Sequence, residues 1–308
     1  MNDELHVIFG SGQIGNRIAR TLLAAGKRVR VVSRTPRAPD GADTAAGDAR
    51  DLAFAATAAR GATVVYDCLN PLYQDWKRDL LPLGRGPLHG ASEAGAKLVA
   101  LDCLYMYGGP FDRMTEAQAV APTSRKGALR AELAALRLAA KPPVAIARAS
   151  DFFGPDLPSS WFGVRFFERA FAGKTTECLG DPDQPHSYTY ADDVADALVA
   201  LGGASDATGV WHVPTVTAMT TRELATAIGR EMGLDIKIAQ MPGLLLRVIG
   251  VAMPFMRELP EMRYQWESPF VLDDSKFRAR FGSVPTPLAK QLAATAAWAK
   301  PRFAREAA

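Results

Sequence analysis

Three glycines near the amino terminus have the spacing that a phosphate-binding turn requires. Gly10, Gly12 and Gly15 follow the apolar run LHVIF (residues 5–9) and open a segment with helical periodicity. In such a turn the first glycine permits a tight bend, the second lets a ligand approach the backbone, and the third lets helix and strand pack closely. The alternative is a glycine turn without a ligand. We predict a dinucleotide site made of Gly10, Ser11, Gly12, Gln13, Ile14 and Gly15.

The end of the second predicted strand indicates which dinucleotide binds. RVRVVS (28–33) ends at Ser33, and Arg34 follows where an NAD-specific protein carries an acidic residue for the ribose 2′-hydroxyl. A guanidinium suits a 2′-phosphate, because its forked donors make charge-assisted hydrogen bonds. We therefore expect NADP, bound in part by Ser33 and Arg34. Arg37 either assists or is a solvated loop residue.

The elements that must position this site alternate between strand and helix. Short apolar runs are separated by segments with apolar residues at i, i+3 and i+4, the pattern of a parallel sheet covered by helices. We predict an α/β fold, with a Rossmann-type doubly wound parallel sheet over residues 1–150 and a smaller α/β substrate-binding lobe over 151–308, parts of which return to the sheet. The predicted elements of the first part are strands at 5–9, 28–33, 42–46, 63–68, 97–103 and 144–150 and helices at 13–26, 51–61, 73–83, 88–95 and 126–141.

Composition narrows the class of partner. The 308 residues are 48% hydrophobic and 22% charged, and the net charge of +3 has no basic stripe, so we expect a small-molecule partner and no nucleic acid. Three cysteines without CxxC spacing support neither a disulfide framework nor a metal site, and no signal-peptide pattern is present, which favours the cytoplasm. The most apolar stretch, 243–256, is interrupted by Arg247 and too short to span a bilayer. We therefore expect no membrane partner and interpret it as a buried or lid-forming helix.

Several further motifs occur in an order that is specific to one family. They are GSGQIG (10–15), GDARD (47–51), YMYGG (105–109), RASDFFGP (148–155), HSYTYADDVADAL (186–198) and VLDDSKFRARFG (271–282). With them the chain resembles, nearly end to end, an extended or atypical short-chain dehydrogenase/reductase of the NAD-dependent epimerase/dehydratase family. The resemblance implies that Asp48 contacts the adenine, that Asp151 and His186 bind substrate, and that a homodimer can form. From the residues alone, the alternative for Asp48 is a helix N-cap or turn residue. Asp151 is equally credible as a cap, and His186 is equally credible as a half-buried imidazole with its own partners.

The catalytic residues of the family are missing from their expected positions. The family uses a Ser or Thr before its YG motif and a Tyr-xxx-Lys pair in the next helix, where the tyrosine is the acid/base and the lysine lowers its pKa. Counting back from the YMYGG motif gives Cys103, and counting back from Glu132 gives Ser124 and Ala128. A shift of register would instead bring Lys126 to the ribose, and the alternative is that Lys126 is a solvated lysine at the start of a helix. We expect Cys103 to be a small residue under the nicotinamide rather than a nucleophile.

Two other tyrosines are candidates for the proton donor. Tyr105 lies just beyond the fifth predicted strand, where ligands approach in this fold. Tyr73 follows the fourth strand, in the loop that flanks the nicotinamide in the family. Each is equally credible as an aromatic wall of the pocket. The candidate catalytic residues are therefore Tyr105, Tyr73 and Lys126.

These observations favour an NADP-dependent oxidoreductase that acts on a small, largely apolar carbonyl, alcohol or enone and uses a non-standard proton donor. The apolar and aromatic segments of the second half, such as SSWFGVRFFERAF (159–171), motivate the apolar substrate. A nucleotide-sugar epimerase or dehydratase is the first alternative. A protein that senses NADP without turnover is the second, because the usual proton relay is absent.

Overall fold

In the computed structural model, which describes residues 4–109 and 111–304, the chain forms two compact units. The first unit contains the residues up to Met106 together with Arg125–Arg148 and Val194–Val213. The second contains Tyr107–Ser124, Ala149–Asp193 and the residues from Pro214 onward.

The strands, in chain order, are β1 (Leu5–Phe9), β2 (Arg28–Ser33), β3 (Asp43–Ala46), β4 (Ala62–Asp67), β5 (Lys97–Asp102), β6 (Phe111–Met114), β7 (Val144–Arg148), β8 (Asp151–Phe153), β9 (Thr176–Cys178), β10 (Pro185–His186), β11 (Tyr188–Tyr190), β12 (Gly209–His212), β13 (Met219–Thr220), β14 (Ile238–Gln240) and β15 (Phe270–Leu272). The α-helices are α1 (Gly15–Ala24), α2 (Leu52–Ala59), α3 (Trp76–Ala94), α4 (Arg125–Leu138), α5 (Val164–Phe171), α6 (Ala191–Gly203), α7 (Thr221–Met232), α8 (Gly243–Ala252), α9 (Pro254–Arg257), α10 (Ser275–Phe281) and α11 (Leu288–Phe303).

The first unit is built on a seven-stranded parallel sheet in the order β12-β7-β5-β4-β1-β2-β3. The predicted doubly wound Rossmann-type sheet is confirmed, with β12 added from the second half of the sequence. Val7, Ile8 and Phe9 of the central strand β1 are buried, as expected for a strand covered on both faces. Because β1, β4 and β5 are adjacent and parallel, the loops that follow them start at one edge of the sheet.

Two predicted helices, 73–83 and 88–95, form one continuous helix, α3, with Pro82 and Pro87 inside it. The prediction of a break was wrong because tight packing outweighs the hydrogen bonds that the prolines cannot make. Gly86 lies so close to α2 that a side chain there would overlap the carbonyl oxygen of Ala49, just before that helix. The helix thus continues through both proline positions, and it starts at Trp76, beside the candidate site.

The second unit contains a four-stranded sheet in the order β13-β10-β15-β6 and two strand pairs, β8 with β11 and β9 with β14. Its helix α7 begins with a capping box, in which Thr220 and Glu223 satisfy each other's backbone N–H groups. The apolar segment that we interpreted as a buried or lid-forming helix is α8 followed by α9. It is not buried throughout, since Leu244 and Val251 are largely exposed.

Candidate active site

The glycine turn between β1 and α1 has the geometry of a phosphate cradle. Gly10 has φ of 111°, in the region that favours glycine, and a side chain there would lie 3.0 Å from the carbonyl oxygen of Cys68. A side chain at Gly15 would overlap the Gly10 carbonyl oxygen. A side chain at Gly12 would meet no atom of the described residues within 4 Å, which leaves open space over the backbone. The turn therefore fits the diphosphate of a dinucleotide at the start of α1.

Polar contacts fix this turn to the elements around it. The Ser11 and Ser33 hydroxyls share a hydrogen bond of 3.0 Å, which ties the turn to the end of β2. Asn16 Nδ2 donates to the Ser11 carbonyl oxygen at 3.0 Å, and Arg17 donates to the Gln13 carbonyl oxygen at 2.7 Å. Sequence reasoning missed Asn16 and Arg17, although their places in the first turn of the helix are the signal that could have identified them.

Arg34, the residue after β2, is exposed. Asp48, the expected adenine contact, accepts from the backbone N–H of Arg50 at 2.9 Å and pairs with its guanidinium at 2.5 Å. The hydrogen bond from the Arg50 side chain holds the pKa of Asp48 below its usual value, and the charge of Arg34 contributes. Arg50 also contacts Asp79 at 3.1 Å. The sequence analysis missed Arg50, whose guanidinium pairs with the Asp48 carboxylate on which the charge of Arg34 also acts.

Tyr73 and Tyr105, which the sequence offered as alternatives, are hydrogen-bonded to each other. Tyr73 lies in the 3-10 turn before α3, and Tyr105 lies in the 3-10 turn after β5. Their hydroxyl oxygens are 2.6 Å apart. Trp76 packs edge-on against Tyr73 at 5.1 Å and stacks on Tyr105 at 6.2 Å. The two phenols therefore form one unit on a buried aromatic base.

Two cations of α4 lie against this aromatic group. The Lys126 ammonium is 5.2 Å from the centre of the Tyr73 ring, and the Arg130 guanidinium is 4.5 Å from the centre of the Trp76 ring. Both residues are buried, and they are four positions apart, so they share one face of the helix. The structure thus brings all three candidate catalytic residues together and adds Trp76 and Arg130.

Arg130 also joins the loops that carry the tyrosines. It donates to Asn70 Oδ1 at 2.8 Å, in the loop before Tyr73, and pairs at 3.3 Å with Asp102, the last residue of β5. The Asp102 side chain is completely buried. Two sequence features could have indicated this network. Lys126 and Arg130 are four residues apart on one helix, and polar residues follow or end two of the strands.

Lys126 and Ala128 lie on different sides of α4. Ala128, which the count placed at the lysine of the family motif, is exposed, whereas Lys126 is buried against Tyr73. Counting four residues back from Lys126 gives Pro122, so neither register supplies a tyrosine. Ser124, the other counted position, is buried. Lys126 is therefore the lysine on the face of α4 that contacts Tyr73.

Cys103 lies between Asp102 and the tyrosine turn and is half-buried. Its backbone N–H donates to Asp102 Oδ1 at 2.9 Å. Burial raises the pKa of the Cys103 thiol to about 12, so the side chain carries its proton at neutral pH. That protonation disfavours nucleophilic attack by Cys103. Its contact with the cofactor stays a prediction.

In the second unit, the two expected substrate-binding residues contact each other. His186 Nε2 is 2.8 Å from Asp151 Oδ2, and His186 Nδ1 is 3.1 Å from the backbone oxygen of Gln265. The imidazole is fully buried and stacks 5.1 Å from Trp266 with an interplanar angle of 4°. Asp151 keeps 25% of its side chain exposed. Asp151 starts β8 rather than capping a helix, and the roles of both residues in substrate binding stay predictions.

Within residues 4–109 and 111–304, no group of three or more His, Cys, Asp or Glu side chains is arranged to hold a metal ion. The same residues contain no helix that is long and apolar enough to cross a membrane.

The sequence has a partial relative among characterised proteins. It is 40% identical over 68 residues to a UDP-glucose 4-epimerase of Mycolicibacterium smegmatis, and the match covers 22% of this chain and 22% of the epimerase. No protein-family model matches the chain.

Solved structures match nearly the whole chain. MoeE5, in complex with UDP-glucose and NAD, is 20% identical with a TM-score of 0.79, over 97% of this chain and 99% of MoeE5. WbmH of Bordetella bronchiseptica, in complex with NAD+, is 19% identical with a TM-score of 0.77, over 98% and 99% of the two chains. A dTDP-glucose 4,6-dehydratase of Bacillus anthracis is 16% identical with a TM-score of 0.77, over 97% of each. The resemblance to the epimerase/dehydratase family is thereby confirmed for the fold.

Proposed function

We propose that this protein is an oxidoreductase that uses a nicotinamide dinucleotide and in which the Tyr73–Tyr105 pair handles the proton. The observation that carries the proposal is the 2.6 Å hydrogen bond between the two hydroxyls, with the Lys126 ammonium over the Tyr73 ring. This group follows β4 and β5, and the glycine turn follows the adjacent strand β1. Ligands of open α/β sheets bind at such strand ends.

The glycine turn would hold the diphosphate, since Gly12 leaves open backbone and the start of α1 presents N–H groups. The bound nicotinamide would supply the donor or acceptor of the hydride. In the direction of reduction, the tyrosine hydroxyl that faces the substrate donates its proton to the carbonyl oxygen. The second hydroxyl donates to the phenolate that remains, and the nearby Lys126 ammonium stabilises its negative charge. In the direction of oxidation the same oxygen accepts the proton of the substrate hydroxyl.

The substrate that we propose is a nucleotide sugar. The partial relative is named as a UDP-glucose 4-epimerase, and MoeE5 binds UDP-glucose, which supports this class over the small apolar carbonyl compound that the sequence favoured. The apolar compound stays a second candidate, because Trp161, Trp266 and Phe270 are aromatic side chains of the second unit. We propose that Asp151, positioned by His186, contacts the substrate in either case.

For the cofactor we propose NADP, with Arg34 as the contact to the 2′-phosphate. Its support is the exposed guanidinium at the end of β2 and the pairing of the nearby Asp48 with Arg50. MoeE5 and WbmH bind NAD, so the choice needs its own test. Arg34→Asp should weaken NADPH binding at least about tenfold and spare NADH binding, because one charge-assisted contact is replaced by repulsion. Equal affinity of the unmodified protein for NADPH and NADH, in a fluorescence titration, would contradict the proposed preference for NADP.

The test of the function is turnover with a panel of nucleotide sugars and small carbonyl compounds, with either cofactor. Tyr73→Phe/Tyr105→Phe should lower kcat by about 10²- to 10⁴-fold and change KM little, because it removes the acid without removing the rings. Tyr66→Phe is the matched control, since it removes a buried hydroxyl that contacts His6 at 3.2 Å instead. Full activity of the double variant would exclude the tyrosine pair. Tight NADPH binding with no turnover on any substrate would favour the cofactor-sensing alternative.

A further inference from the structure

The buried imidazole of His186 has two hydrogen-bond partners, and both are acceptors. His186 Nδ1 lies 3.1 Å from the backbone oxygen of Gln265, which has no proton to donate, so Nδ1 donates this bond. His186 Nε2 lies 2.8 Å from Asp151 Oδ2. An ionised carboxylate accepts hydrogen bonds only, so a proton must lie between these two atoms as well. The pair therefore holds one proton more than a neutral imidazole beside an ionised carboxylate.

The extra proton belongs to the imidazole rather than to the carboxylate. In water an imidazole binds a proton about 400 times more tightly than an aspartate carboxylate does. The burial of His186 opposes the charged form. Two charge-assisted hydrogen bonds and the Trp266 ring, stacked 5.1 Å from the imidazole at an interplanar angle of 4°, offset that cost. His186 is therefore an imidazolium that forms an ion pair with Asp151.

The aromatic side chains around His186 leave Asp151 as its counter-ion. The imidazole contacts the rings of Trp266, Phe270 and Tyr188, the last at 4.6 Å. Burial raises the pKa of Tyr188, so its phenol is neutral, and its hydroxyl bonds Thr221 at 2.6 Å. Within the described part of the chain, Asp151 is thus the one carboxylate that pairs with this imidazole.

Asp151 keeps its second carboxylate oxygen outside the pair. Oδ2 bonds His186, whereas Oδ1 has no hydrogen-bond partner among the described residues. The side chain is 25% exposed, and Oδ1 is not among the buried atoms that lack a partner, so it is open to a ligand. Because the imidazolium cancels the charge of the carboxylate, the pair is neutral overall. A neutral hydrogen-bond donor, such as a hydroxyl group, suits this oxygen better than a cation.

We infer that Asp151 Oδ1 accepts a hydrogen bond from a hydroxyl group of the substrate, and that the His186 imidazolium keeps the carboxylate ionised. This inference rests on the proposed function and separates its two substrate candidates. A sugar ring supplies hydroxyl donors. A small apolar carbonyl compound would displace water from Oδ1 without replacing the hydrogen bond, which is costly. The pair therefore favours the sugar of a nucleotide sugar as its ligand.

The first test is the protonation state of His186, which needs no ligand. In nitrogen NMR spectra of the isotope-labelled full chain at neutral pH, we expect both ring nitrogens of His186 to carry a proton. His186→Gln removes these signals and so assigns them among the four histidines. Asp151→Asn should leave a proton on Nδ1 alone, because an amide can donate to Nε2. A neutral imidazole in the unmodified protein would overturn the inference, because the extra proton would then be on Asp151.

The second test is calorimetric titration with UDP-glucose, the ligand of MoeE5, and with UDP, which lacks the sugar. Asp151→Asn should weaken the binding of UDP-glucose about tenfold and leave that of UDP unchanged, since the bond to the hydroxyl loses its charge. Asp183→Asn is the matched control and should bind both compounds like the unmodified protein. Asp183 is a carboxylate of the same unit that pairs with Arg222 at 2.7 Å.

Three results of the titration would overturn the inference: equal weakening of UDP and UDP-glucose by Asp151→Asn, an unchanged affinity for UDP-glucose, or no binding of UDP-glucose by the unmodified protein. Failure of the proposed function has a different signature. If UDP-glucose binding depends on Asp151 and the double tyrosine variant keeps full activity, the tyrosine pair is excluded and the role of Asp151 stands. If a small carbonyl compound is turned over through the tyrosine pair and UDP-glucose does not bind, the role of Asp151 is excluded and the proton donor stands.

Discussion

Replacing Arg130 with methionine removes the cation that joins the two loops carrying Tyr73 and Tyr105. The side chain bonds Asn70, pairs with Asp102 and lies on the Trp76 ring. Methionine keeps much of the volume and removes every charge-assisted contact. We expect the folded state to lose stability and the tyrosine pair to lose its fixed position.

The magnitude follows from the burial of Asp102. Breaking a buried ion pair by removing one partner costs about 3 to 5 kcal/mol, because the remaining charge is left in a poorly hydrated site. The carboxylate keeps the backbone N–H of Cys103 at 2.9 Å, so the lower end applies. For 308 residues, an unfolding entropy of about 0.6 kcal/mol/K converts about 3 kcal/mol into a fall in Tm of about 5 °C.

The assay combines urea denaturation with a fluorescence titration of NADPH. Arg137→Met is the matched control, because Arg137 forms a comparably buried ion pair from the same helix, with Asp67 instead of Asn70 and Asp102. Both variants should lose similar stability, but only Arg130→Met should weaken NADPH binding, by about tenfold, since a misplaced side chain at a site is costly. Arg130→Lys should recover part of the affinity. The reasoning is refuted if Arg130→Met loses stability and binds NADPH as tightly as the unmodified protein.

Two further predictions concern stability in the first unit. Burial lowers the pKa of His6 below 6.5, with a contribution from Lys27, so the unfolded chain takes up this proton first as the pH falls. The free energy of unfolding is therefore highest above pH 6.5 and falls below it, by at most about 1.4 kcal/mol per pH unit. His6→Gln should flatten the curve of Tm against pH below pH 6.5. An unchanged slope would contradict the role of His6 in this pH dependence. Lys97→Met should lower the urea midpoint by the equivalent of about 2 to 4 kcal/mol, because the buried ammonium donates at 2.5 to 2.7 Å to three carbonyl oxygens that would lose their donor. The three carbonyl oxygens belong to Leu201, Ala204 and Ala207. An unchanged midpoint would show that water replaces the Lys97 ammonium as their donor.

The sheet of the first unit was predictable because its central strands are short, apolar and bounded by turn residues. The return of a later segment to the sheet was also predicted, but its pairing with β7 was not, because the two strands are more than sixty residues apart and no local pattern indicates which strand is the neighbour. Pro82 and Pro87 misled the prediction of α3, since the packing that offsets their missing donors is tertiary.

Several residues of the candidate active site were predictable from the sequence one by one, but their contacts with each other were not. Tyr73 and Tyr105 were predictable as separate candidates from their places after β4 and β5, but their hydrogen bond depends on the adjacency of those strands. The count from Glu132 gave Ala128 for the lysine position and left Lys126 as the alternative of a shifted register, because counting residues does not include the phase of the helix. The spacing of four residues between Lys126 and Arg130 would have identified the face of α4 that is buried.

A crystal structure with NADPH bound tests the central claim most directly. We predict that a tyrosine hydroxyl of the Tyr73–Tyr105 pair faces the nicotinamide ring, with room for a substrate oxygen that it could hydrogen-bond at roughly 2.6 to 3.2 Å. If the nicotinamide lies elsewhere, or if neither hydroxyl faces the space beside it, the tyrosine pair is not the acid of this protein.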